Sequence, residues 1–398
     1  MEQYSDLTYK VTKSIDKTTK KKNGIYITPR SIINKMIFTI DPYMKDIKSI
    51  LEPSCGTCEI IDLIDKKYSN KKMVGVELNT SIFHEIQHMS FINKTKLINT
   101  DYLKYDNNEK YDLIIGNPPY FVMPKNSVKK EYLQFFDGRP NIFVLFIVHS
   151  LDKLKDNGIL SFILPKNFLN CIYYDKLRSH IINNFTILNI EDVSDGKFLE
   201  TQQDTMIFTI QNRKSTDNKK WFISLEGYTI FNLDTDLLNT YYEGSTTLNN
   251  LGFQVKVGNI VWNQVKDKLT DDSSKTLLVY SGNICNGKLE IKKFNNNEKK
   301  QYINIEGRLG PILVVNRGYG NGEYKFSYAI ISPNKQYLCE NHLICIVPKN
   351  EMTPNQLDKN YSKIVKSFEN EKTKEFIKYY FANNGINTVE LQNILPIY

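Results

Sequence analysis

Short apolar runs alternate with amphipathic stretches through the first half of the chain. The runs that we predict to be strands lie near residues 50–52, 73–77, 96–101, 111–117 and 158–165. Apolar residues at helical spacing predict helices near 29–40, 60–64, 80–88, 141–154 and 173–184. This alternation is typical of an α/β fold, a parallel sheet with helices on both faces. Two further strands, near 187–190 and 205–210, are predicted to pair as a terminal antiparallel hairpin.

The alternation breaks in a polar stretch near residues 211–220. Beyond it we predict short strands at 255–257, 277–280, 312–315, 327–330 and 342–347, followed by one or two helices within 353–384. These patterns divide the chain into three parts, which are a polar, basic N-terminal arm (1–24), an α/β domain (25–214) and a C-terminal α+β domain (221–398). The arm is expected to be a solvated tail rather than a phosphate-binding element.

Polar residues follow the predicted strands at one edge of the sheet. They are Cys55, Gly56, Glu77, Asp101 and Asn117. Because ligands of such sheets bind outside the carboxyl ends of the strands, these residues mark the expected site. A carboxylate such as Glu77 can accept hydrogen bonds from both hydroxyls of a ribose.

The turn after the first strand favours one kind of nucleotide cofactor. It has Gly56 but no GxGxxG pattern, so a cradle of backbone amides for a pyrophosphate is not indicated. An adenosine cofactor without phosphates fits better, and S-adenosylmethionine is the obvious one. Asp101 could then accept a hydrogen bond from the exocyclic amine, with Tyr102 against the adenine ring.

Asn117-Pro118-Pro119-Tyr120 follows the fourth strand. The two prolines fix φ and remove two backbone donors, which favours a stiff, extended loop. An amide side chain beside backbone carbonyls can accept two hydrogen bonds from an –NH2 group, and the aromatic ring can stack on a flat ring. The alternative is an ordinary turn that ends a strand.

Composition adds few constraints. The 398 residues carry a net charge of +8, which permits a polyanionic partner, although the chain is also rich in lysine and asparagine throughout. We find no long apolar run and no signal-peptide pattern, which predicts a soluble, cytoplasmic protein without membrane association. The 6 irregularly spaced cysteines predict reduced thiols.

Two patterns suggest metal or redox chemistry. His84-Glu85-Ile86-Gln87-His88 matches the HExxH pattern of zinc proteases, and Cys55 and Cys58 form a CxxC pair. The first lies on a crossover helix away from the strand ends, and no third ligand is evident downstream. The second falls in the expected cofactor turn. We predict no metal site from either pattern.

The ordered motifs resemble those of the gamma-class DNA adenine-N6 methyltransferases of type II restriction-modification systems. The matching segments are Thr28-Pro29, Glu52-Pro53-Ser54-Cys55-Gly56, Glu77, Asp101-Tyr102, Asn117-Pro118-Pro119-Tyr120 and Asn141-Ile142-Phe143. The resemblance covers nearly the whole chain and is specific through residue 210. It implies a Rossmann-like, S-adenosylmethionine-dependent methyltransferase domain followed by a DNA target-recognition domain.

The resemblance also implies roles for individual residues. The cofactor positions are Thr28, Glu52, Cys55, Gly56, Glu77, Asp101, Tyr102, Asn117 and Phe146. Asn117, Pro118 and Tyr120 match catalytic positions, and Tyr120 and Phe198 match the aromatic residues that stack on the extruded base. The family usually has glycine where this chain has Cys58, which would strain the turn if that position needs a positive φ.

The implied partner is double-stranded DNA, methylated by a monomer, with any cognate restriction endonuclease acting separately. Three alternatives stay open. An RNA or protein-glutamine methyltransferase could use the same loop, cytosine N4 could replace adenine N6, and a catalytically silent DNA-binding module could keep the fold. Cytosine C5 transfer needs a cysteine nucleophile on this loop, and residues 116–124 contain none.

Overall fold

The computed structural model describes the chain except for residues 1–3, 17, 21–23, 25, 197–203, 215–216, 286, 322, 333 and 382–384. Phe198, the second predicted stacking residue, therefore lies outside the described residues. The described chain divides into two compact units, Met1–Thr235 and Asp236–Tyr398. Within the described ranges, no helix combines the length and apolar character needed to cross a bilayer.

Among the described residues, the first unit forms a seven-stranded sheet. Its strands are β1 (Ser49–Glu52), β2 (Lys72–Glu77), β3 (Lys94–Asn99), β4 (Tyr111–Gly116), β5 (Leu154–Pro165), β6 (Thr186–Asp192) and β7 (Thr205–Gln211). The spatial order is β3-β2-β1-β4-β5-β7-β6, in which β1 to β5 run parallel and β7 runs antiparallel to both neighbours. This order confirms the predicted Rossmann-like methyltransferase sheet with its terminal antiparallel hairpin.

Helices cover both faces of this sheet. They are α1 (Asp6–Ser14), α2 (Arg30–Ile40), α3 (Glu59–Lys67), α4 (Thr80–Ile86), α5 (Ile142–Asp152) and α6 (Asp175–Asn184). Because side chains alternate along a strand, β4 contributes to two cores. Leu113 and Ile115 pack in a cluster with α2 and α3, whereas Ile114 packs in a second cluster with α5 and α6.

Two element boundaries differ from the predicted ones near the strand ends. Helix α2 begins at Arg30, one residue later than predicted, and its N-cap is Pro29. The Thr28 hydroxyl is used elsewhere, since its Oγ1 accepts a hydrogen bond from Asn117 Nδ2 at 3.2 Å. Strand β3 ends at Asn99, so Asp101 does not end the strand but caps the short 3-10 turn that follows.

The prediction of a solvated N-terminal tail is wrong for the described part of the arm. Helix α1 lies within it, and the side chains of Tyr4, Thr8 and Val11 are buried against the first unit. Ser5 caps the helix by accepting a hydrogen bond from Thr8 N. The arm therefore contributes to the folded domain.

A short hairpin extends the first unit beyond the predicted limit of its sheet. It consists of β8 (Phe222–Leu225) and β9 (Tyr228–Phe231). Phe231 stacks on Phe208 of β7 at 5.8 Å, and the buried Arg178 donates to Thr229 O at 2.6 Å. The division between the units follows this hairpin, whereas the sequence places the boundary near residues 211–220.

The second unit is an α+β assembly of short strands. Its strands are β10 (Phe253–Val257), β11 (Leu269–Thr270), β12 (Thr276–Val279), β13 (Ile284–Cys285), β14 (Lys288–Leu289), β15 (Tyr302–Ile303), β16 (Ile312–Asn316), β17 (Tyr319–Asn321), β18 (Glu323–Lys325), β19 (Tyr328–Ile331), β20 (Tyr337–Cys339) and β21 (Leu343–Pro348). Its helices are α7 (Thr235–Tyr242), α8 (Pro354–Glu369), α9 (Glu371–Phe381) and α10 (Thr388–Asn393). Two four-stranded sheets, β10-β21-β16-β19 and β11-β15-β12-β20, contain most of its described strand residues.

Candidate active site

A cavity of about 360 Å³ lies at the carboxyl edge of the seven-stranded sheet. It lies where the sequence predicts a ligand for a parallel α/β sheet. All of the predicted cofactor positions line it: Thr28, Glu52, Cys55, Gly56, Glu77, Asp101, Tyr102, Asn117 and Phe146. The structure thus gathers in one place residues at or just after the ends of four strands, one residue before α2 and one residue of α5.

The turn between β1 and α3 is tied to the end of β2. Cys55 N donates to Val76 O at 2.9 Å, and Gly56 N donates to Glu77 Oε2 at 2.9 Å. Gly56 has φ +51° and Cys58 has φ +62°, so the turn uses the left-handed region twice. Glycine adopts this region freely, but cysteine does so at a cost. The condition under which Cys58 would strain the turn is therefore met.

Both carboxylate oxygens of Glu77 accept hydrogen bonds from backbone N–H groups. Oε1 accepts from Asn79 N at 2.6 Å, while Oε2 accepts from Gly56 N. Burial raises the pKa of Glu77, and these backbone N–H groups oppose the shift by favouring the charged form. Since a carboxylate has about four lone pairs, acceptor capacity remains for two hydroxyl groups of a ligand.

Glu52 differs from Glu77 because part of its carboxylate has no partner. Its side chain is 3% exposed, and Oε2 lacks a hydrogen-bond partner among the described residues. Burial raises the pKa of Glu52 well above its usual value. A buried carboxylate facing a cavity without a partner is suited to a cationic group of a ligand.

Tyr102 and Phe146 form an aromatic wall of the cavity, with ring centroids 5.1 Å apart. The Tyr102 hydroxyl and Ser150 Oγ form a buried hydrogen bond of 2.8 Å, which fixes the ring. Asp101 Oδ1 accepts from Leu103 N at 3.0 Å and thereby caps the short 3-10 turn that follows it. These residues supply an aromatic surface of two tilted rings and one carboxylate beside it.

The side-chain amide of Asn117 is oriented by three residues from two segments of the chain. Nδ2 donates to Tyr26 O at 3.1 Å and to Thr28 Oγ1 at 3.2 Å, while Oδ1 accepts from the Tyr120 hydroxyl at 2.6 Å. The backbone carbonyl of Asn117 accepts from Ser54 Oγ at 3.1 Å. Because a carbonyl oxygen has two lone pairs, Oδ1 can accept one further hydrogen bond.

Alternate residues of the proline loop face the cavity. Asn117, Pro119 and Phe121 line it, whereas Pro118 and Tyr120 are not among its lining residues. The Tyr120 ring packs edge-on against Phe143, and its hydroxyl also lies 2.8 Å from Ile163 O. The two-residue period of an extended chain could have identified Phe121, which sequence reasoning missed.

Several other lining residues were also missed. They include Tyr26, Thr57, Glu59, Leu78, Ile82 and Ile142. Ile142 stands in the Asn141-Ile142-Phe143 motif, so a signal for it was present. The remainder line the cavity through the folding of the N-terminal segment, of the turn between β1 and α3, and of the stretch from Leu78 into α4, which periodicity alone does not reveal.

The HExxH pattern does not form a helical pair of histidines. Helix α4 ends at Ile86, so His84 lies in its last turn and His88 lies beyond its end. His84 Nδ1 instead forms a 3.0 Å hydrogen bond with the Gln87 amide nitrogen. Within the described ranges, no group of three or more histidine, cysteine, aspartate or glutamate side chains is arranged to hold a metal ion.

Comparison with known proteins agrees with this site. The family model described as Eco57I restriction-modification methylase matches residues 13–198, a stretch that contains every predicted site residue. Type II methyltransferase M.CvrRI of Paramecium bursaria Chlorella virus XZ-6E is 26% identical over 407 residues, which cover 100% of both chains. The chain is similar to type II methyltransferases over its whole length.

Further relatives agree. Modification methylase CviBIII of Paramecium bursaria Chlorella virus NC1A is 26% identical over 406 residues and 100% of both chains. Type II methyltransferase M.HincII of Haemophilus influenzae is 30% identical over 217 residues, 51% of this chain and 40% of its own. A solved class I S-adenosylmethionine-dependent methyltransferase of Listeria monocytogenes is similar over 53% of this chain and 66% of its own, with 20% identity and a TM-score of 0.42. The fold is assigned from the observed strand order and not from this structural similarity.

The cavity of the present protein fits S-adenosylmethionine, the cofactor expected from the sequence. Glu77 offers acceptors for hydroxyl groups, and the Tyr102–Phe146 wall offers a surface for a flat ring. Glu52 offers a buried carboxylate oxygen that has no hydrogen-bond partner in the described part of the chain and could meet a cationic group. The polar and apolar parts of the cofactor each have a matching part of the cavity wall.

Proposed function

We propose that this protein is a sequence-specific DNA methyltransferase that methylates N6 of an adenine, in a restriction-modification system or as self-protection. The observation that carries the proposal is the fixed amide of Asn117 at the wall of the cofactor cavity. Its oxygen keeps one acceptor site, and its nitrogen is occupied by Tyr26 O and Thr28 Oγ1. The amide therefore presents an acceptor, rather than a donor, to an incoming group.

An acceptor at this position is suited to an –NH2 group. The Asn117 side-chain oxygen and the Pro118 carbonyl would accept the two amino hydrogens of the target base. Accepting both hydrogens draws the nitrogen lone pair out of conjugation with the ring, which makes it nucleophilic. Positioning of this kind accounts for a large part of the rate, and no covalent intermediate with the enzyme is needed. S-adenosylmethionine supplies the methyl group as a sulfonium.

The cofactor side would hold its ligand through separate contacts. Glu77 would accept from the ribose hydroxyls, Asp101 from the exocyclic amine, and Tyr102 would lie against the adenine ring. Glu52 would face a cationic group of the ligand, because its Oε2 is buried and has no hydrogen-bond partner among the described residues. Thr28, Cys55, Gly56 and Phe146 would complete the wall.

The target adenine would be flipped out of the duplex, since its N6 cannot be reached inside the base stack. Tyr120 and Phe198 would stack on the extruded base, a contact worth about 1–3 kcal/mol per base. The second unit, Asp236–Tyr398, would read the DNA sequence, and the net charge of +8 favours a polyanionic substrate. The names of the type II relatives support DNA over RNA or a protein glutamine.

The test is an assay with S-adenosylmethionine labelled in its methyl group. Double-stranded DNA, RNA and a protein with accessible glutamines are incubated separately with the purified protein. We expect label in DNA alone, and N6-methyladenine after digestion to nucleosides. Label in N4-methylcytosine would correct the target base, and label only in RNA or protein would overturn the DNA assignment. Cofactor binding without any transfer would indicate a silent binding module.

A further inference from the structure

The described part of the N-terminal segment between Tyr4 and Arg30 packs beside the cofactor cavity. We call this segment the N-terminal strap. Gly24, Tyr26, Ile27 and Thr28 of the strap line the cavity. Helix α1, at the start of the strap, is attached to the turn between β1 and α3, which also lines the cavity.

Glu59 makes three of the contacts that attach the strap. It is the first residue of α3 and its side chain is 5% exposed. Oε1 accepts from Ser5 N at 2.9 Å and from Thr8 Oγ1 at 2.6 Å, while Oε2 accepts from Arg30 Nε at 3.1 Å. The two ends of the strap, α1 and the start of α2, thus meet at one buried carboxylate.

A second contact joins α1 to the same turn. Thr8 Oγ1 and Thr57 Oγ1 lie 2.7 Å apart in a buried hydrogen bond. Since the single hydroxyl proton of Thr8 is donated to Glu59, Thr57 is the donor in this pair. Thr57 lies between Gly56, whose N–H binds Glu77, and Cys58, which has a positive φ. Movement of α1 would therefore be transmitted to the turn that shapes the cavity.

The other side of the strap contacts the catalytic loop. Gly24 lies so close to this loop that an added Cβ would be 2.9 Å from Pro119 Cβ, and its φ is +63°. Tyr26 O and Thr28 Oγ1 accept from Asn117 Nδ2, as described above. The strap therefore touches both the cofactor turn and the amide that would bind the target base.

We infer that Glu59 is a positioning residue for the cofactor, and that it acts by holding the N-terminal strap closed against the cofactor turn. Glu59 also lines the cavity, but three acceptor positions of its carboxylate are taken by Ser5, Thr8 and Arg30 and its charge is paired with Arg30, so we assign it to the strap and not to the cofactor. Its effect is on how long the cofactor stays bound. This inference rests on the proposed use of S-adenosylmethionine in this cavity.

The experiment measures the dissociation rate of S-adenosylmethionine from the full chain without DNA, together with the kcat and KM of methyl transfer to DNA. Glu59→Ala removes all three contacts, each a hydrogen bond to a charged group, so we expect dissociation and the cofactor KM to rise by about tenfold or more. We expect kcat at saturating cofactor to change far less. Glu59→Gln, which keeps an acceptor for Ser5 or Thr8, should fall between Glu59→Ala and the natural protein.

The matched control is Glu85→Ala. Glu85 on α4 accepts from Lys10 Nζ of the same helix α1 at 2.6 Å, but this pair is largely exposed and does not touch the cofactor turn. Exposed pairs contribute little, so we expect no change in cofactor dissociation. An equal change in Glu85→Ala and Glu59→Ala would overturn the specific role of Glu59.

Thr8→Val keeps the inference testable if Glu59→Ala does not fold. It preserves side-chain shape but removes the hydroxyl that joins Glu59 and Thr57, so we expect dissociation to rise by roughly threefold to tenfold. Unchanged dissociation in a folded Thr8→Val or Glu59→Ala protein would overturn the inference while leaving the proposed function intact. A natural protein that does not bind S-adenosylmethionine would overturn both.

Discussion

The two sides of the cavity are built in different ways. The cofactor side takes one or two side chains each from β1, β2, the turn after β3 and α5, and its carboxylates Glu52 and Glu77 lie on neighbouring strands. The amide side is concentrated in the loop after β4, where Asn117 is oriented by Tyr26, Thr28 and Tyr120. Replacing one residue of the distributed cofactor side should lower the affinity for the cofactor only in part. Replacing the single amide acceptor should remove its contribution to catalysis completely. Substitutions on the two sides should therefore separate binding from chemistry.

The largest effect is expected from Asn117→Ala. Without the side-chain oxygen, one of the two acceptors for the target amine is lost, so kcat should fall by at least about a hundredfold. Cofactor binding should remain measurable, because the rest of the cavity wall is unchanged. Steady-state methylation of DNA and a binding titration with S-adenosylmethionine check the two statements.

Asn126→Ala is the control for that substitution. Asn126 is an exposed asparagine in the segment that follows the same loop, so its removal should leave both measurements unchanged. Retained activity in Asn117→Ala would contradict the role of the amide. Loss of cofactor binding equal to the loss of activity would contradict the separation of the two sides.

A smaller but selective effect is expected from Glu77→Ala. It removes the acceptor of Gly56 N and Asn79 N as well as the expected acceptor for the ribose, so the cofactor KM should rise by about tenfold to a hundredfold. Initial rates at varied cofactor concentration give KM and kcat separately. Glu109→Ala is the control, since exposed Glu109 pairs with Lys72 at the opposite end of the same strand. A fall in kcat with unchanged KM would place Glu77 on the amide side instead.

Glu52 makes the cofactor side sensitive to pH. Burial raises its pKa in the free protein, so below that pKa the carboxyl is protonated and must lose its proton to meet a cation. Cofactor affinity should therefore fall as the pH is lowered through the pKa of Glu52, by at most about tenfold per pH unit for one proton. Isothermal titration at a series of pH values measures this slope. Glu52→Gln should remove the slope, and a slope that persists would assign it to another group.

The alternation of strands and helices in the first unit and the convergence of the polar residues could be predicted from the sequence. Both depend on local periodicity and on the general geometry of parallel sheets, which place strand ends such as Glu77 and Asn117 at one edge. The packing of the N-terminal arm could not be predicted in this way. The contact between Thr8 and Glu59 joins residues 51 positions apart, and nothing in the polar pattern of the arm indicates a buried partner.

The orientation of the Tyr120 side chain, like the packing of the N-terminal arm, depends on tertiary contacts and could not be predicted from the sequence. Its hydroxyl lies 2.8 Å from Ile163 O on β5 and 2.6 Å from Asn117 Oδ1, and its single proton can serve one acceptor at a time. The motif indicates an aromatic ring beside the target amine, but not a hydroxyl that orients the amide.

Tyr120→Phe tests how much the Tyr120 hydroxyl contributes to orienting the Asn117 amide. The ring is kept and only the hydroxyl is removed, while Tyr26 O and Thr28 Oγ1 still hold Asn117 Nδ2. Loss of one neutral hydrogen bond is worth about 1 kcal/mol, so kcat should fall by roughly fivefold. Single-turnover rates at saturating cofactor measure this change. A loss as large as that of Asn117→Ala would mean that the hydroxyl takes part in the chemistry.

The smallest effect concerns strain on the cofactor side. Cys58 is fully buried at φ +62°, where any residue with a Cβ is disfavoured by about 1–2 kcal/mol relative to glycine. Cys58→Gly and Cys58→Ala both remove the sulfur, but only glycine relieves the strain. We therefore expect the free energy of unfolding in urea to be about 1 kcal/mol larger for Cys58→Gly than for Cys58→Ala. Lys66→Gly and Lys66→Ala in the last turn of α3 should show the opposite order, because alanine is favoured in a regular helix. If alanine is also favoured at position 58, the turn tolerates a Cβ, and the departure from the family's glycine carries no strain into the wall of the cofactor cavity.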